Sequence, residues 1–262
     1  MTTRLDERVV GTRVRSVVCV KRVPDTEARI RIAGDGNSVD PSGVKFVLNP
    51  YDEFAVEAAL KHREGANEGS VAVLSVGPAE SAEALRTALA MGADQAILLR
   101  CAGGPEGLSV ARAIASELKE REFDLALFGM KAIDDDLQAV GAMVAELLEL
   151  PSATVVTEFE IEGGKVTAHR EIEGGVEIVE LDLPCVLTIT KGAYEPRYAS
   201  LKGIMAAKKK PLEEKEAQLG GPSHPELGLA YPPEREAGRI VGEGPEAVPE
   251  LVRLLREEAK AI

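Results

Sequence analysis

The segment Phe123-Asp-Leu-Ala-Leu-Phe-Gly-Met-Lys-Ala-Ile-Asp-Asp-Asp136 decides the fold of this chain. Its first six residues form an apolar stretch typical of a strand that is buried in a parallel sheet. Shortly beyond it, Val140–Leu148 has the apolar spacing of a helix that lies on such a sheet. The loop between strand and helix therefore lies where open α/β sheets bind their ligands, at the carboxyl end of a strand.

This loop predicts a nucleotide site, with a simpler alternative. The free backbone N–H groups and the dipole of the following helix favour a phosphate there. The three aspartates at 134–136 could bond ribose hydroxyls while the backbone holds the phosphate, or they could simply cap the helix. Because neighbouring carboxylates at a helix start point in different directions, we predict no metal site.

The composition excludes several classes of protein. A net charge of −13 and the absence of Trp argue against binding to nucleic acid. The three cysteines form no CxxC pair, which disfavours zinc and redox motifs. No apolar run reaches membrane-spanning length and the first residues lack a signal-peptide core, so we expect a cytoplasmic protein. The histidines are far apart in the sequence and are predicted to lie at the surface: His62, His169 and His224.

The order of the predicted elements indicates an α/β fold. Apolar runs alternate with helical patterns, which predicts a doubly wound, mostly parallel sheet of the adenine nucleotide α hydrolase-like type. The predicted parallel strands are Val14–Val20, Ser70–Val76, Gln95–Leu99 and Phe123–Phe128, and Pro184–Thr190 is predicted as a further apolar strand. From residue 153 to about 182 the apolar period changes to two, with paired glycines between the runs, which predicts an antiparallel meander.

The last part of the chain has a different character. Leu212–Glu243 is rich in Pro, Gly and charged residues, and it cannot bury enough apolar surface to fold alone. Pro245–Ile262 recovers the pattern of an amphipathic helix, which would dock on the protein's own body or on a partner subunit. We therefore divide the chain into an N-terminal extension (1–13), an α/β domain (14–210) and a C-terminal arm with its helix (211–262).

The sequence lacks the usual catalytic motifs. It contains no GxSxG, HExxH, Walker lysine loop or GxGxxG after the first strand. The loop Lys21–Thr26 has no glycine for a pyrophosphate turn and no Ser-Gly-Gly, which argues against an adenylating enzyme. The sequence thus predicts a nucleotide-binding protein without catalytic residues of its own.

Six segments in a fixed order resemble the β subunit of electron transfer flavoprotein. The resemblance extends from about residue 15 to the C-terminal helix. It is carried by Val20–Val23, Leu48–Glu53, Arg86–Asp94, Lys131–Asp136, Glu195–Leu201 and Pro232–Gly238.

This resemblance implies a heterodimer whose α subunit makes most of the contacts to FAD, while the β subunit holds AMP. Electrons would pass from flavin dehydrogenases, such as acyl-CoA dehydrogenases, to a quinone reductase in the membrane. The implied AMP-binding residues are Cys19, Asn49, Pro50, Tyr51, Asp52, Val76, Gly129, Met130, Lys131, Ala132, Ile133, Asp134, Asp135, Asp136, Leu137, Gln138, Ala139 and Val140.

The resemblance also implies a loop, at about 189–211, that recognises partner dehydrogenases. Leu201 takes the place of the leucine that inserts into the partner's apolar pocket, which is a usual arrangement for a binding hot spot. The implied recognition residues are Glu195, Pro196, Arg197, Tyr198 and Leu201. Arg22 and Thr26 are the candidates for proximity to the flavin.

Two departures from the family pattern keep alternatives open. Gln138, Ala139 and Val140 stand where AMP-holding members often carry Asn and Thr; since Val140 cannot donate a hydroxyl to the phosphate, backbone amides must do more of the binding. Pro24-Asp25-Thr26 also occurs in electron-bifurcating relatives, whose β subunit binds a second FAD in place of AMP. A nucleotide-sensing protein of the universal-stress type is the remaining alternative, although it would not explain the arm or the Leu201 loop.

Overall fold

The computed structural model describes residues 13–221, 228–234 and 237–262. The predicted N-terminal extension, apart from residue 13, and His224 lie outside these ranges. The described chain forms two compact units, the larger from residues up to 31 together with 39–227, and the smaller from 32–38 together with 228–262. None of the helices in the described ranges has the length and apolar content needed to cross a bilayer.

The strands and helices follow the predicted alternation. The strands are β1 (Arg15–Cys19), β2 (Arg22–Pro24), β3 (Phe46–Leu48), β4 (Ser70–Gly77), β5 (Gln95–Arg100), β6 (Leu125–Gly129), β7 (Ser152–Glu162), β8 (Lys165–Ile172), β9 (Gly175–Asp182), β10 (Cys185–Ile189) and β11 (Leu212–Glu216). The helices are α1 (Pro50–Ala66), α2 (Ala82–Met91), α3 (Gly107–Lys119), α4 (Val140–Leu148), α5 (Leu201–Ala207) and α6 (Val248–Glu257).

The main sheet has nine strands in the order β11-β5-β4-β1-β6-β10-β7-β8-β9. All pairs from β11 to β7 are parallel, while β7, β8 and β9 form the antiparallel meander. Val18 of β1 packs in a core that includes residues of α1 and α2, whereas its neighbour Val17 packs in a second core with residues of α3 and α4. Helices therefore cover both faces, and the predicted mostly parallel α/β sheet with its meander is confirmed.

The strand order reverses between β1 and β6. The strands that follow β1 along the chain, β4 and β5, lie on one side of it, whereas the later strands β6 and β10 lie on the other. The connections from β1 and β6 consequently leave in opposite directions, and the carboxyl ends of two such strands are where open α/β sheets place their ligand crevice. The loop that follows Gly129 borders this crevice.

The structure corrects the predicted start of the arm. Leu212–Glu216 pairs in parallel with β5 as an edge strand of the main sheet, although the sequence predicted an arm from residue 211. Its sequence, Leu-Glu-Glu-Lys-Glu, lacks the apolar run of an interior strand because an edge strand needs only one paired side, and its charges discourage further pairing. The small sheet of β2 and β3 was also not predicted, since each strand has three residues.

The smaller unit joins a turn to the C-terminal residues. Within 32–38, the N–H of Ala33 donates to the carbonyl of Ser38 at 2.8 Å. The hydroxyl of Tyr231 accepts a hydrogen bond from the N–H of Ile32 at 2.9 Å. Helix α6 confirms the amphipathic helix predicted at the end of the chain, and its Val248 and Leu251 are exposed.

His62, predicted to lie at the surface, is a residue of α1 that packs against the meander. Its ring stacks on Phe159 with centroids 4.1 Å apart, and its Nε2 lies 3.0 Å from the hydroxyl of Tyr194. That hydroxyl donates to the carbonyl of Phe159 at 3.1 Å, so Nε2 must be the donor to it, and Nδ1 is buried with no hydrogen-bond partner among the described residues. Burial lowers the pKa of His62 to about 4.

This depressed pKa gives a testable pH dependence of stability. Between about pH 6.5 and pH 4 the unfolded chain binds a proton at His62 that the folded chain does not, so the free energy of unfolding falls as the pH falls. We expect His62→Gln to remove this part of the acid-induced loss. Urea unfolding at pH 7 and pH 5 measures it. His169→Gln, on β8, is the matched control and should retain the parent's loss; equal losses in all three proteins would contradict the assignment.

Candidate functional site

The crevice is closed on one side by a buried carboxylate. Asp52, in the first turn of α1, accepts a hydrogen bond from the N–H of Lys21 at 2.7 Å and another from the N–H of Gly129 at 3.1 Å. One side chain therefore ties the segment just beyond β1 to the end of β6 and to α1. Burial raises the pKa of Asp52 to about 7, against the hydrogen bonds that favour its carboxylate form.

Asn49 holds the loop rather than the helix. It occupies the N-cap position of α1, where Asn is a favoured residue, but it makes no side-chain capping bond. Its Nδ2 donates to the carbonyl of Lys131 at 2.9 Å, and its Oδ1 accepts from the N–H of Ile133 at 3.2 Å. Because Asn49 is only 1% exposed, these two bonds fix the middle of the loop against α1.

The three aspartates of the loop are paired with lysines. Lys21 Nζ lies 2.8 Å from Asp134 and 2.9 Å from Asp135, and Lys131 Nζ lies 2.8 Å from Asp136. Helix α4 begins at Val140 without any side-chain cap, so the alternative that these aspartates simply cap the helix is wrong. In the described ranges, no group of three or more His, Cys, Asp or Glu side chains is arranged to hold a metal ion.

The end of the loop presents backbone donors. Asp136 and Gln138 have positive φ angles of 52° and 54°, whereas Leu137 between them does not. Such an alternation is the backbone geometry of an anion-binding concavity. The N–H of Asp136 already donates to the carbonyl of Ala132 at 2.9 Å and that of Leu137 to the carboxylate of Asp135 at 3.1 Å, so the candidate donors begin at Gln138. The loop then runs through Ala139 into the uncapped first turn of α4, whose N–H groups have no partner within the helix. The backbone here is thus built to accept an oxyanion.

An apolar wall lies beside these donors. Cys19 and the half-buried Val76, at the ends of β1 and β4, pack in the same core as Phe128 at the end of β6. Burial raises the pKa of Cys19, so its thiol stays neutral and serves as a small apolar group. Tyr51 adds an aromatic ring near the loop, with Lys131 Nζ 5.7 Å from its centroid. Met130 continues the sheet by donating its N–H to Ile189 at 2.8 Å.

The predicted flavin-proximal residues lie in the β2–β3 region. The guanidinium of Arg22 is 3.9 Å above the ring of Phe46 and pairs with Glu83 at 3.1 Å. Thr26 is exposed in the turn after β2. Arg22 is therefore already engaged within the chain, while Thr26 is accessible.

The predicted recognition loop leads into α5 and exposes large apolar side chains. Ser200 caps the helix by accepting from the N–H of Gly203 at 3.0 Å. Leu201 is 82% exposed and Tyr198 is fully exposed. Glu195 is exposed and Pro196 half-buried, whereas Arg197 turns inward to pair with two carboxylates of α1, Glu57 and Glu64.

Two reciprocal caps fasten α5 to α2. Arg86 donates to the carbonyls of Ala207 and Lys210, at 2.6 and 2.8 Å, beyond the end of α5. Lys210 in turn donates to the carbonyls of Leu89 and Ala93, at 3.0 and 2.6 Å, at the end of α2. Each helix C-terminus thus receives a cation, which its dipole favours.

Sequence reasoning missed the roles of several of these residues. Lys21, Glu57 and Arg86 were not assigned to the site, because each acts on a residue far away in the sequence. The one available signal for Lys21 was its place directly after a buried strand, at the edge where ligands bind.

The fold and this crevice define a class: doubly wound α/β proteins with a ligand crevice at the switch point of the sheet. Comparison with known proteins identifies the family within this class. Residues 37–219 match the family model "Electron transfer flavoprotein domain". The chain is 42% identical over 247 residues to the electron transfer flavoprotein subunit beta of Bradyrhizobium diazoefficiens, covering 94% of this chain and 99% of that one.

Other relatives give the same result. The chain is 41% identical over 256 residues to the subunit beta of Bacillus subtilis, covering 94% of this chain and 98% of the relative. It is also 41% identical over 254 residues to that of Sus scrofa, covering 93% and 97%. The chain belongs to the electron transfer flavoprotein family, among its β subunits.

Proposed function

We propose that this chain is the AMP-holding β subunit of a heterodimeric electron transfer flavoprotein, with FAD bound mainly by the α subunit. The observation that carries the proposal is the loop 129–140 at the switch point between β1 and β6, with its donors beside an apolar wall. We assign the fold to the adenine nucleotide α hydrolase-like group on the same ground. The names of the relatives imply an α partner.

The residues present fit a nucleoside monophosphate. The N–H groups from Gln138 to the first turn of α4 would hold the phosphate, and the wall that includes Cys19 and Val76 would face the base. Lys21 and Lys131 compensate the three aspartates, which removes the repulsion expected between carboxylates and a phosphate. The carboxylates keep free lone pairs for ribose hydroxyls.

The electron-carrier role rests on the family and on the exposed α5 region. FAD, when bound, supplies the redox chemistry, and this chain positions it without catalytic residues of its own. Leu201 would enter an apolar pocket of acyl-CoA and other flavin dehydrogenases, and the neighbouring lysines would steer acidic partners. Electrons would leave to a quinone reductase. We further propose that Arg22 and Thr26 approach the flavin, and that the protein works in the cytoplasm in fatty acid oxidation.

The decisive test is the nucleotide content of the heterodimer. We expect the chain, co-expressed with its α subunit, to yield a yellow protein that releases one AMP and one FAD per heterodimer on denaturation, as measured by mass spectrometry. Two FAD and no AMP would favour the bifurcating alternative. If the chain binds AMP or ATP when it is expressed alone, and no flavin is bound with or without an α subunit, a nucleotide-sensing protein is favoured. If no nucleotide at all is released, the AMP site is refuted.

A further inference from the structure

Arg197, four residues before Leu201, is bonded on all sides within the chain. Its Nε and Nη2 bond the two oxygens of Glu57, at 2.7 and 2.9 Å, and its backbone N–H donates to the same carboxylate at 3.2 Å. Its Nη1 and Nη2 bond the two oxygens of Glu64, at 2.6 and 2.9 Å. Two carboxylates about two helical turns apart on α1 thus receive one guanidinium in two forked pairs.

This arrangement leaves Arg197 poorly placed to contact another protein. Every nitrogen of the guanidinium already donates to a carboxylate of α1. Glu57 is only 2% exposed, so the pair is held partly out of water, where charge-assisted hydrogen bonds are strong. The pKa of Glu64 is lowered by the hydrogen bond from Arg197, which keeps this carboxylate charged.

The same bonds fix one end of the exposed apolar segment. Tyr198 follows Arg197 directly, and Leu201 begins α5 three residues later. The other end is fixed by Arg86 through the carbonyls that follow α5. Between these two attachments the backbone passes so close to α2 that Gly203 has no room for a Cβ beside the carbonyl of Ala90. The segment is held at both ends while its apolar side chains face outward.

We propose that Arg197 is a positioning residue, which acts through Glu57 and Glu64 to hold Leu201 in the orientation that a partner dehydrogenase binds. This inference rests on the proposed docking role of Leu201. It differs from the role that the resemblance implies for Arg197, which is direct contact with the partner. Preorganisation of a docking segment raises affinity because less conformational entropy is lost on binding.

A single substitution of Arg197 would not test this role. Removing the guanidinium leaves Glu57 buried without a partner, and such a change destabilises the whole fold. The double variant Arg197→Met, Glu57→Gln removes both charges together and keeps the volume. In the heterodimer with its α subunit, we expect this variant to retain the flavin and to unfold close to the parent temperature. Its apparent KM in electron transfer from a purified acyl-CoA dehydrogenase should rise about tenfold with kcat unchanged.

A second variant separates positioning from direct contact. Glu57→Gln, Glu64→Gln keeps Arg197 but removes the paired oxygens that hold its fork. Positioning predicts a raised KM, several-fold above the parent, and faster amide hydrogen exchange over residues 195–205 in both double variants. A KM that is unchanged or lower in the Gln variant, together with a raised KM in the Met variant, would show that Arg197 contacts the dehydrogenase itself and would overturn the inference.

Leu201→Ala serves as the reference variant. If it leaves the KM unchanged, the proposed docking function fails, and the exchange data alone then decide whether Arg197 fixes the segment. If exchange over 195–205 is unchanged in both double variants, the positioning role is refuted whatever Leu201 does.

Discussion

Gly129→Ala is expected to destabilise the protein by about 3 kcal/mol or more and to empty the crevice. A Cβ at this position would lie 2.7 Å from the carbonyl carbon of Tyr51 and 2.8 Å from the nitrogen of Asp52. Both are backbone atoms of the first turn of α1, so no side-chain rotation relieves the overlap. The φ angle of Gly129 is not positive, so the cost is steric and not conformational.

The added methyl group also affects Asp52 and the width of the crevice. To admit a methyl group, α1 must move away from β6, and the hydrogen bond from the Gly129 N–H to Asp52 is then lost. That carboxylate would remain buried with one donor fewer, which is itself unfavourable. Because the same movement widens the crevice, we expect the AMP content of the heterodimer to fall together with its stability.

Thermal unfolding and released nucleotide measure both effects. For a chain of this size, the expected loss corresponds to a fall in Tm of about 10 °C. Gly104→Ala is the matched control, because nothing lies within 4 Å of a Cβ there and its φ is not positive. It should change the free energy of unfolding by no more than about 0.5 kcal/mol. Similar Tm values for the two variants would contradict the close approach of α1 to β6.

The parallel sheet was predictable because its strands are marked locally. Each parallel strand predicted along the chain is found within one or two residues of its observed bounds, since a buried strand must be apolar along its whole length. The parallel strand β11 was not predicted, because a strand at the exposed edge of the sheet does not need to be apolar along its whole length. An apolar sequence pattern indicates that a strand is buried, but it does not reveal a strand that is held mainly by backbone hydrogen bonds.

The side-chain partners could not be predicted in the same way. Asn49 looked like a helix cap because a local rule favours it there, but its amide finds better partners 82 and 84 residues away. The aspartates of the loop looked like caps or ribose ligands, but two of them, Asp134 and Asp135, pair with Lys21 across more than 110 residues. Such pairs depend on which strand ends the order of the sheet brings together, and the local spacing of residues in the sequence does not contain this information.

Helix α1 is the element that joins the candidate nucleotide crevice to the exposed segment that carries Leu201. Its first turn carries Asp52, which ties the ends of β1 and β6 together. Its middle and last turns carry Glu57 and Glu64, which hold Arg197 beside the docking segment, and His62, which packs on the meander. The candidate nucleotide crevice and the exposed segment that carries Leu201 are thus attached to one helix, so their relative position does not depend on a flexible linker.

Leu201→Ala is expected to raise the apparent KM for a partner dehydrogenase about 30-fold or more, which corresponds to the loss of at least about 2 kcal/mol of binding free energy. The side chain is 82% exposed at the first position of α5, so its truncation removes little packing within this chain. Stability should therefore change by no more than about 0.5 kcal/mol, and flavin content should be unaffected.

Lys202→Ala, at the next position of α5, is the matched control for this experiment. Lys202 is also exposed, but a charge at the edge of an interface mainly affects the association rate. We expect a change of a few-fold in KM at low salt that disappears as the salt concentration rises, because the interaction is screened. The effect of Leu201→Ala should persist at high salt, since burial of an apolar side chain does not depend on screening. Equal KM values for Leu201→Ala and the parent would remove the docking role, and a salt-dependent effect at Leu201 would mean that the pocket of the partner is not apolar.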